Sequence, residues 1–376
     1  MDTLPLPPRP DLAQYKKRAK DLVTVAKSKD PGAVRAWATE WLESLAKLRG
    51  VPITEFVQHS FYRAVAGIEE RVREKLDAAR DGRKPFTLAD AQFLIAQAHG
   101  FESWAEFAHH IDGPHDAKGR EFEAAVDAVV TGDLATLESL VHQHPDLIRA
   151  RSTRVHRATL LHYVAANGVE DFRQKTPPNA VAIAKFLLDA GAEVDELAET
   201  YGGGAAQTTM NLLVSSAHPA GAGLQSALVE VLLDHGAALN GVDDDGSPLM
   251  TAIGFWYGDT AETLARRGAR LDNVVSAASV GRLDIVKRLV IDRVTLAPDV
   301  RYFETRWFTT PRDTKAHIEM AFASACHFQS IDVAEFFLEI GVAVTARDKD
   351  DMTPLHWRRQ TECWTWRSAC WSAALR

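Results

Sequence analysis

Residues 338–344 read Leu-Glu-Ile-Gly-Val-Ala-Val, and residues 351–356 read Asp-Met-Thr-Pro-Leu-His. The glycine of the first stretch stands where a helix ends, because glycine adopts the left-handed backbone of a helix terminus without strain. In the second stretch, threonine is a typical N-cap, and the proline after it suits the first turn of a helix. A helix end, a polar hairpin and a helix start therefore follow one another, and this unit decides the fold.

Weaker copies of the unit recur through the chain. They begin near residues 122, 159, 208, 247, 277 and 321. The copy at 159 contains an insertion at 169–179, and the copy at 277 follows Asn273 with almost no hairpin. A recurring unit indicates an array of stacked repeats, whose function lies on a long contact surface rather than in a catalytic pocket.

The units resemble ankyrin repeats, which have about 33 residues, a turn and two antiparallel helices. The resemblance covers about two thirds of the chain, from the cap at residues 122–148 to residue 357. It implies an all-α fold, an ankyrin-repeat solenoid of paired antiparallel helices with β-hairpin loops, preceded by a small helical domain. It also implies a non-catalytic scaffold that binds a protein partner through hairpin tips and the concave helix face.

The N-terminal third contains a second recognisable block. Thr87 with Asp90, and Ser103 with Glu106, have the spacing of capping boxes, which predicts two short helices around a turn at Gly100. The block resembles a helical module of bacterial ankyrin proteins, for which no activity is implied. The positions that carry the resemblance are Ala19-Lys20, Leu88-Ala89-Asp90-Ala91-Gln92, Ile95-Ala96, Gly100-Phe101 and Ser103-Trp104.

The same block permits an alternative function. Two helices around a short turn, at residues 86–111, could form a helix-turn-helix, which predicts a DNA-binding regulator. The second helix offers no Arg or Lys to base edges, so the sequence favours a packing unit. The alternative predicts tight binding to one defined DNA sequence.

These observations divide the chain into three parts. The predicted domains are a helical module at 1–114, the repeat array at 115–357 and an aberrant tail at 358–376. In the cap of the array, Glu123 and Asp127 fall outside the apolar face, which predicts a wetted outer surface there.

Composition and charge limit the classes of partner and the cellular compartments that we expect for this protein. A net charge of −8 argues against broad nucleic-acid binding, which needs a basic face. Three cysteines cannot form a disulfide framework, and the start of the chain lacks the charged and apolar regions of a signal peptide. We expect a cytoplasmic protein with an unknown protein partner and no membrane span, and the resemblance of the N-terminal block implies a bacterial source. The oligomeric state stays open.

No motif of catalysis or cofactor binding occurs in the sequence. The phosphate-binding loops, the nucleophile elbow, the zinc-protease helix and paired Cys-x-x-Cys are all missing, which predicts no enzyme activity, no cofactor and no metal. Residues 243–246 resemble the start of a calcium loop, but the later ligands are missing. Asp and Gly there are expected to form a hairpin turn. Similarly, His162 and His356, in the Thr-x-x-His slot, are expected to be structural hydrogen-bonders.

Candidate binding residues follow from the expected turns of the array. Three consecutive aromatic residues occur at a turn between helices, where repeats normally have glycine and polar groups. They serve either core packing or partner binding, since aromatic anchors dominate many interfaces. The candidates for protein binding are Tyr201, Asp243, Asp244, Asp245, Phe255, Trp256 and Tyr257.

The repeat pattern stops after Trp357. Four of the nine tryptophans and two of the three cysteines lie in the last twenty residues. Reading a permitted back-translation one nucleotide earlier gives Ala-Ala-Ala-Asn-Gly-Met-Leu-Asp-Val-Ala-Glu-Arg-Leu-Leu-Glu-Arg-Gly-Ala-Pro, which completes a repeat in phase. We hypothesise that one base was lost after Trp357; the alternative is a natural terminal cap.

This hypothesis predicts how the tail behaves. A half-repeat ending in Trp364, Trp366 and Trp371 provides no polar cap, so the chain should aggregate more readily than a version with the base restored. Limited proteolysis should remove residues beyond about 357 first, and resequencing the locus tests the cause. A confirmed reading frame, with residues 358–376 resisting protease as a packed helix, would show that the tail is a genuine cap.

Overall fold

The computed structural model describes residues 3–7, 10–28, 30–50, 53, 55–81, 85–112, 117–171, 173–201, 206–305, 308–347, 350 and 352–353. The predicted tail at 358–376 lies outside these residues. So do residues 354–356 of the opening sequence, which include His356. Within them the fold is all-α, with two short hairpins of strands, which confirms the predicted class. The chain forms two compact units, Met1–Ala222 and Gly223–Arg376.

The first unit contains eleven described helices, a 3₁₀ turn at Pro145–Ile148 and one hairpin. The helices are α1 (Leu12–Ala26), α2 (Ala33–Leu48), α3 (Glu55–Asp81), α4 (Leu88–Ala98), α5 (Trp104–Asp112), α6 (Ala117–Thr131), α7 (Leu134–Gln143), α8 (Leu160–Val164), α9 (Ala180–Asp189), α10 (Thr209–Leu213) and α11 (Ala217–Gly221). The strands β1 (Ala198–Glu199) and β2 (Ala206–Gln207) pair antiparallel, with Ala198 opposite Gln207.

Helices α1 to α5 surround one apolar core. Buried side chains from all five helices form it, and Trp37, Trp41 and Phe107 are its large aromatic members. The predicted capping box at α4 is confirmed, because Thr87 Oγ1 accepts from the Asp90 amide at 3.2 Å and Asp90 accepts from the Thr87 amide at 2.8 Å. These helices therefore share one hydrophobic core within the first unit.

The N-terminal segment, residues 3–7, connects this core to the next part of the unit. The Leu4 amide donates to Ala98 O at 2.7 Å, and the Asp171 amide donates to Thr3 O at 2.9 Å. Gly100 has φ +76, and a Cβ there would lie 2.6 Å from Thr3 Cγ2, so only glycine lets the segment approach this closely. The insertion that follows α8 therefore pairs with the chain's N-terminal segment, a contact that the sequence did not reveal.

The same insertion brings charge into the interior. Glu170 is fully buried and accepts from Tyr163 Oη at 2.5 Å and from Arg154 Nη1 at 2.7 Å. Arg173, 3% exposed, donates to Glu170 at 3.3 Å and to Glu123 at 2.7 Å. Burial alone would raise the pKa of Glu170, but the two guanidiniums outweigh it and hold that pKa well below its usual range.

Glu123 and Asp127 complete this arrangement, so they do more than the predicted wetting of an outer surface. Their side chains are 23% and 42% exposed, but Glu123 also binds Arg154 and Arg173, and Asp127 Oδ1 accepts from Arg173 at 3.1 Å and from Arg49 at 2.8 Å. The reason is that both lie on the face of α6 towards the insertion, which supplies Arg173 from 46 residues away. We call Glu123, Asp127, Arg154, Glu170 and Arg173 the ion cluster.

His162 has the structural role predicted for its slot. Its Nδ1 accepts from the Thr159 amide at 3.2 Å and from Thr159 Oγ1 at 2.8 Å, while Nε2 donates to Glu196 O at 3.0 Å. Burial lowers the pKa of His162 to about 3, so the ring is neutral at physiological pH. The ring therefore ties the start of α8 to the loop that follows α9.

The second unit contains seven described helices and one hairpin. The helices are α12 (Gln225–Asp234), α13 (Ser247–Gly254), α14 (Gly258–Arg266), α15 (Val274–Ser279), α16 (Leu283–Leu289), α17 (Thr314–His327) and α18 (Ile331–Glu339). The strands β3 (Val290–Asp292) and β4 (Thr295–Leu296) pair antiparallel. Helices α13, α15 and α17 pack side by side, while α12 packs on α14 and α16 on α18.

Residues with a left-handed backbone recur at two positions of the helix pairs, after the second helix and in the turn between the two helices. In four pairs the second helix ends at a glycine with φ between +87 and +96, at Gly191, Gly236, Gly268 and Gly341, as the opening sequence predicted. Helices α7 and α16 instead end at His144 and Val290. The turn between paired helices also has a left-handed residue, and glycine occupies it at Gly132 and Gly281. Other residues occupy it at Ala166, Trp256 and Gln329.

The repeat that begins near residue 277 has almost no hairpin before it, at Asn273. A segment of the chain that follows α16 packs there instead. Asn273 caps α15 by accepting from the Val275 amide at 2.8 Å, and its Nδ2 donates to Arg301 O at 2.8 Å. Phe303 and Phe308 from this segment are buried. The sequence showed the gap but not the segment that covers it.

We predict that Glu170→Gln lowers the free energy of unfolding of the first unit by about 3–5 kcal/mol, because Arg154 and Arg173 lose a buried counter-charge. Urea unfolding followed by circular dichroism measures the change. The control is Lys185→Ala, which breaks an exposed pair with Asp189 and should cost less than about 1 kcal/mol.

The pH dependence follows from the depressed pKa of Glu170. Its stabilisation is fully present above the unfolded pKa, about 4.5, and is lost as pH falls through the lower folded pKa. The difference between wild type and Glu170→Gln should therefore shrink on acidification below about pH 4.5. Equal stabilities at pH 7 would contradict the role given to the ion cluster.

Candidate functional site

The three consecutive aromatic residues form the turn between α13 and α14. Each is half-buried, and the turn is closed by the amides of Trp256 and Tyr257, which donate to Ile253 O at 3.0 Å and Ala252 O at 2.9 Å. Trp256 has φ +63 and occupies the slot that Gly281 fills in the next pair. A large side chain in this region costs about 1–3 kcal/mol, which contacts of the ring must offset.

Trp256 makes those contacts within the second unit. Its ring centroid lies 4.0 Å from that of His327 and 5.7 Å from that of Phe328. Its Nε1 donates to Asp350 Oδ2 at 2.9 Å. The indole thus joins two inter-helix turns and the loop after α18, and it is held in one orientation.

Phe255 and Tyr257 flank this fixed ring. Their own rings are 6.2 Å apart and nearly parallel, at 19°. Burial raises the pKa of Tyr257, and its hydroxyl has no hydrogen-bond partner among the described residues. A half-buried tyrosine normally has such a partner, so the Tyr257 hydroxyl is a donor available to another molecule.

The three carboxylates of the acidic hairpin between α12 and α13 have different roles. Asp245 Oδ1 accepts from the Ser247 amide at 2.8 Å, which supports the start of α13. Asp244, with φ +50, accepts from Arg270 Nη1 at 2.6 Å. Asp243 is exposed and, within the described part of the chain, makes no hydrogen bond or ion pair. Of the three carboxylates, Asp243 is the one that makes no polar contact with the described residues.

Tyr201 belongs to the first unit and is built into its packing. Its hydroxyl accepts from Asn167 Nδ2 at 3.0 Å, and its ring lies against Gly168, where a Cβ would be 3.0 Å from Tyr201 Cζ. It is half-buried, with φ +54. These contacts give Tyr201 a structural role beside the binding role that its sequence position predicted.

In the helix-turn-helix alternative, α5 is the recognition helix. Trp104, Phe107 and Ile111 of this helix pack against the core of the N-terminal helices. Its exposed face contains Ala105, Glu106, His109 and Asp112. This face has two carboxylates and no Arg or Lys, and His109 is its single side-chain donor for a phosphate or a guanine edge.

The described residues contain no group of three or more His, Cys, Asp or Glu side chains placed to hold a metal ion. None of their helices is both long and apolar enough to cross a membrane. Cys326 is buried in α17.

The partners of Trp256 were not predicted from the sequence. His327, Phe328 and Asp350 complete the aromatic site, although they lie 71 or more positions away. One signal was present: His327 and Phe328 precede Gln329, which fills another left-handed turn slot. Equivalent turns of stacked repeats are neighbours, so aromatic residues at two of them could have been paired.

No family model matches the chain, and no curated protein matches it in sequence. Among solved structures, it is similar to the human ASB11 ankyrin repeat domain, with 18% identity over 61% of this chain and 89% of that one and a TM-score of 0.33. It is also similar to the ankyrin repeat domain of Bcl-3, with 17% identity over 62% and 92% and a TM-score of 0.34. At these values the likenesses carry no argument about this chain.

We predict that Asp245→Ala and Asp243→Ala differ in stability. Asp245→Ala removes the bond to the Ser247 amide and should lower the free energy of unfolding by about 1 kcal/mol, as for a lost helix cap. Asp243→Ala removes no contact and should change it by less than about 0.5 kcal/mol. Thermal unfolding of the two variants tests this; equal losses would contradict the assignment of Asp245 as the structural carboxylate.

Proposed function

We propose that this protein is a non-catalytic, protein-binding scaffold. Its contact surface is the aromatic turn of Phe255, Trp256 and Tyr257, together with the acidic hairpin at 243–245. The observation that carries the proposal is the strained, fixed Trp256 between two half-exposed rings. A rigid aromatic group that leaves a hydroxyl unused is typical of a binding hot spot.

The proposal extends to the organisation of the chain. We propose that residues 115–357 are an ankyrin-type array and that residues 1–114 are an accessory helical module, in a bacterial cytoplasm. In such an array the turns and hairpins of successive units form one extended surface. The repeated left-handed turns and helix-ending glycines support this organisation.

The chemistry of the surface indicates what the partner presents. The aromatic turn requires an apolar anchor and a hydrogen-bond acceptor for the Tyr257 hydroxyl. The free carboxylate of Asp243, at the other end of α13, and the chain's net charge of −8 favour a basic group about 12 Å from that anchor. We therefore expect a protein segment with an apolar side chain and, about 12 Å away, a Lys or Arg.

The test uses the full chain as bait in an extract of the source cell. The bait is compared with a Phe255→Ala/Tyr257→Ala variant, and the captured protein is then purified for titration. The double variant should bind it at least about 30-fold more weakly, a loss of about 2 kcal/mol. The matched control, Tyr62→Ala, removes an exposed aromatic side chain of the first unit and should leave the affinity unchanged.

Two results would contradict the proposal. One is a captured protein that binds wild type and the double variant equally. The other is a gel shift in moderate salt that shows tight binding to one DNA sequence, which would support the DNA-binding alternative at residues 86–111. Circular dichroism of each variant establishes that a loss of binding does not come from unfolding.

A further inference from the structure

Asparagine precedes glycine at two places in the chain, Asn167-Gly168 and Asn240-Gly241. An asparagine side chain in this context is open to attack by the backbone nitrogen of the next residue, because glycine has no side chain to shield that nitrogen. The product is a five-membered succinimide ring, which water opens to aspartate or isoaspartate. The two pairs have the same local chemistry, so the structure around each pair determines which one reacts.

The first pair is held in the interior of the first unit. Asn167 Nδ2 lies within hydrogen-bond distance of three acceptors, which are Tyr201 Oη at 3.0 Å, Leu212 O at 3.2 Å and Ser215 Oγ at 2.9 Å. Gly168 is buried, and a Cβ there would lie 2.9 Å from Leu212 Cδ2. Attack requires the Asn167 side chain to leave all three acceptors, so the fold suppresses the reaction here.

The second pair lies in the acidic hairpin of the second unit. The Asn240 side chain is half-buried and makes one hydrogen bond with the described residues, in which Oδ1 accepts from the Arg270 amide at 2.9 Å. Its Nδ2, the atom that departs in the reaction, donates to none of them. Rotation of this side chain towards the Gly241 nitrogen therefore breaks a single hydrogen bond.

The hairpin itself requires glycine at position 241. Gly241 has φ +82, and a Cβ there would lie 2.6 Å from Ser247 Oγ and 2.7 Å from Asp245 Oδ1. The Gly241 amide donates to Ala238 O at 2.9 Å, and this bond must open before the nitrogen attacks. Gly241 is half-buried and the next four residues are exposed, so a local opening of the hairpin is sufficient.

We propose that Asn240 is a site of spontaneous modification, at which the chain converts its own asparagine into aspartate or isoaspartate. The Gly241 amide loses its proton to solvent, and its nitrogen forms a bond to Asn240 Cγ. The bond from Cγ to Nδ2 then breaks, and the leaving nitrogen takes up a proton and departs as ammonia. One water molecule hydrolyses the succinimide and leaves a carboxylate, and no oxidant or reductant takes part.

The product changes the acidic hairpin in charge and in shape. The conversion adds one carboxylate to a hairpin that already contains three aspartates at 243–245. In the isoaspartyl form the main chain runs through Cγ, which displaces the Asn240 carbonyl that accepts from the Gly246 amide at 2.8 Å. The change is irreversible and limits the lifetime of the closed hairpin. Its effect on partner binding rests on the proposed function, whereas the reaction itself does not.

Mass spectrometry of the full chain tests the proposal during incubation at mildly alkaline pH, where a backbone amide loses its proton more readily. Digested samples report each asparagine separately, through the mass gain of an amide that becomes an acid. In the folded chain Asn240 should react at least about tenfold faster than Asn167, because two further hydrogen bonds hold Asn167. In urea, where neither pair is held, the two rates should converge.

Two variants test the cause of the difference. Tyr201→Phe/Ser215→Ala removes two acceptors of the Asn167 amide and should raise the Asn167 rate at least about threefold, with the Asn240 rate unchanged. Asn240→Gln keeps an amide that is one carbon longer and does not close a five-membered ring, so the mass gain of the hairpin peptide should disappear. Circular dichroism establishes that both variants are folded, and the wild-type comparison of the two pairs needs neither of them.

Either product at position 240 supports the proposal, and a protein isoaspartate methyltransferase assay distinguishes isoaspartate from aspartate. The proposal is overturned if Asn240 in the folded chain reacts no faster than Asn167. It is also overturned if Asn240 in the folded chain shows no conversion while the chain in urea converts fully, or if the hairpin peptide of Asn240→Gln gains mass at the wild-type rate. An unchanged Asn167 rate in Tyr201→Phe/Ser215→Ala would contradict the role given to the hydrogen bonds.

Discussion

The burial of the Glu170 carboxylate is the constraint on which the first unit depends. A fully buried charge is tolerated only when it is paired and hydrogen-bonded, and its partners here come from distant parts of the chain. Arg154 lies in the loop before α8, Arg173 in the insertion after it, and Glu123 in α6. Because each charge compensates another, these segments and the N-terminal helices that Arg49 joins to them must fold together.

The second unit depends on a different constraint, the left-handed residue in the turn between paired helices. Gly281 fills this position without strain, whereas Trp256 fills it at a cost that its contacts with His327 and Asp350 offset. The same contacts hold the indole in one orientation beside Phe255 and Tyr257. A turn that is costly for folding thereby becomes a rigid aromatic surface suited to binding.

Local patterns in the sequence predicted the helices, the Thr87 capping box and the helix-ending glycines, because propensity and capping act over a few residues. These patterns did not predict the ion cluster or the segment after α16 that replaces the missing hairpin at Asn273. Glu123 looked like a surface residue, because its partner Arg173 lies 50 positions away in an insertion without periodicity. Three aromatic residues of the candidate site were predicted from the sequence, because they are consecutive. His327 was not predicted.

We infer that the N-terminal segment, the N-terminal helices and the ion cluster unfold as one cooperative unit. Native-state hydrogen exchange of the full chain tests this at the amides of Leu4, Asp171 and Ile95, which lie in the N-terminal segment, the insertion and the core of α4. We expect all three amides to exchange through one opening of similar free energy. Exchange at Leu4 and Asp171 through a much cheaper opening, with Ile95 still protected, would contradict it.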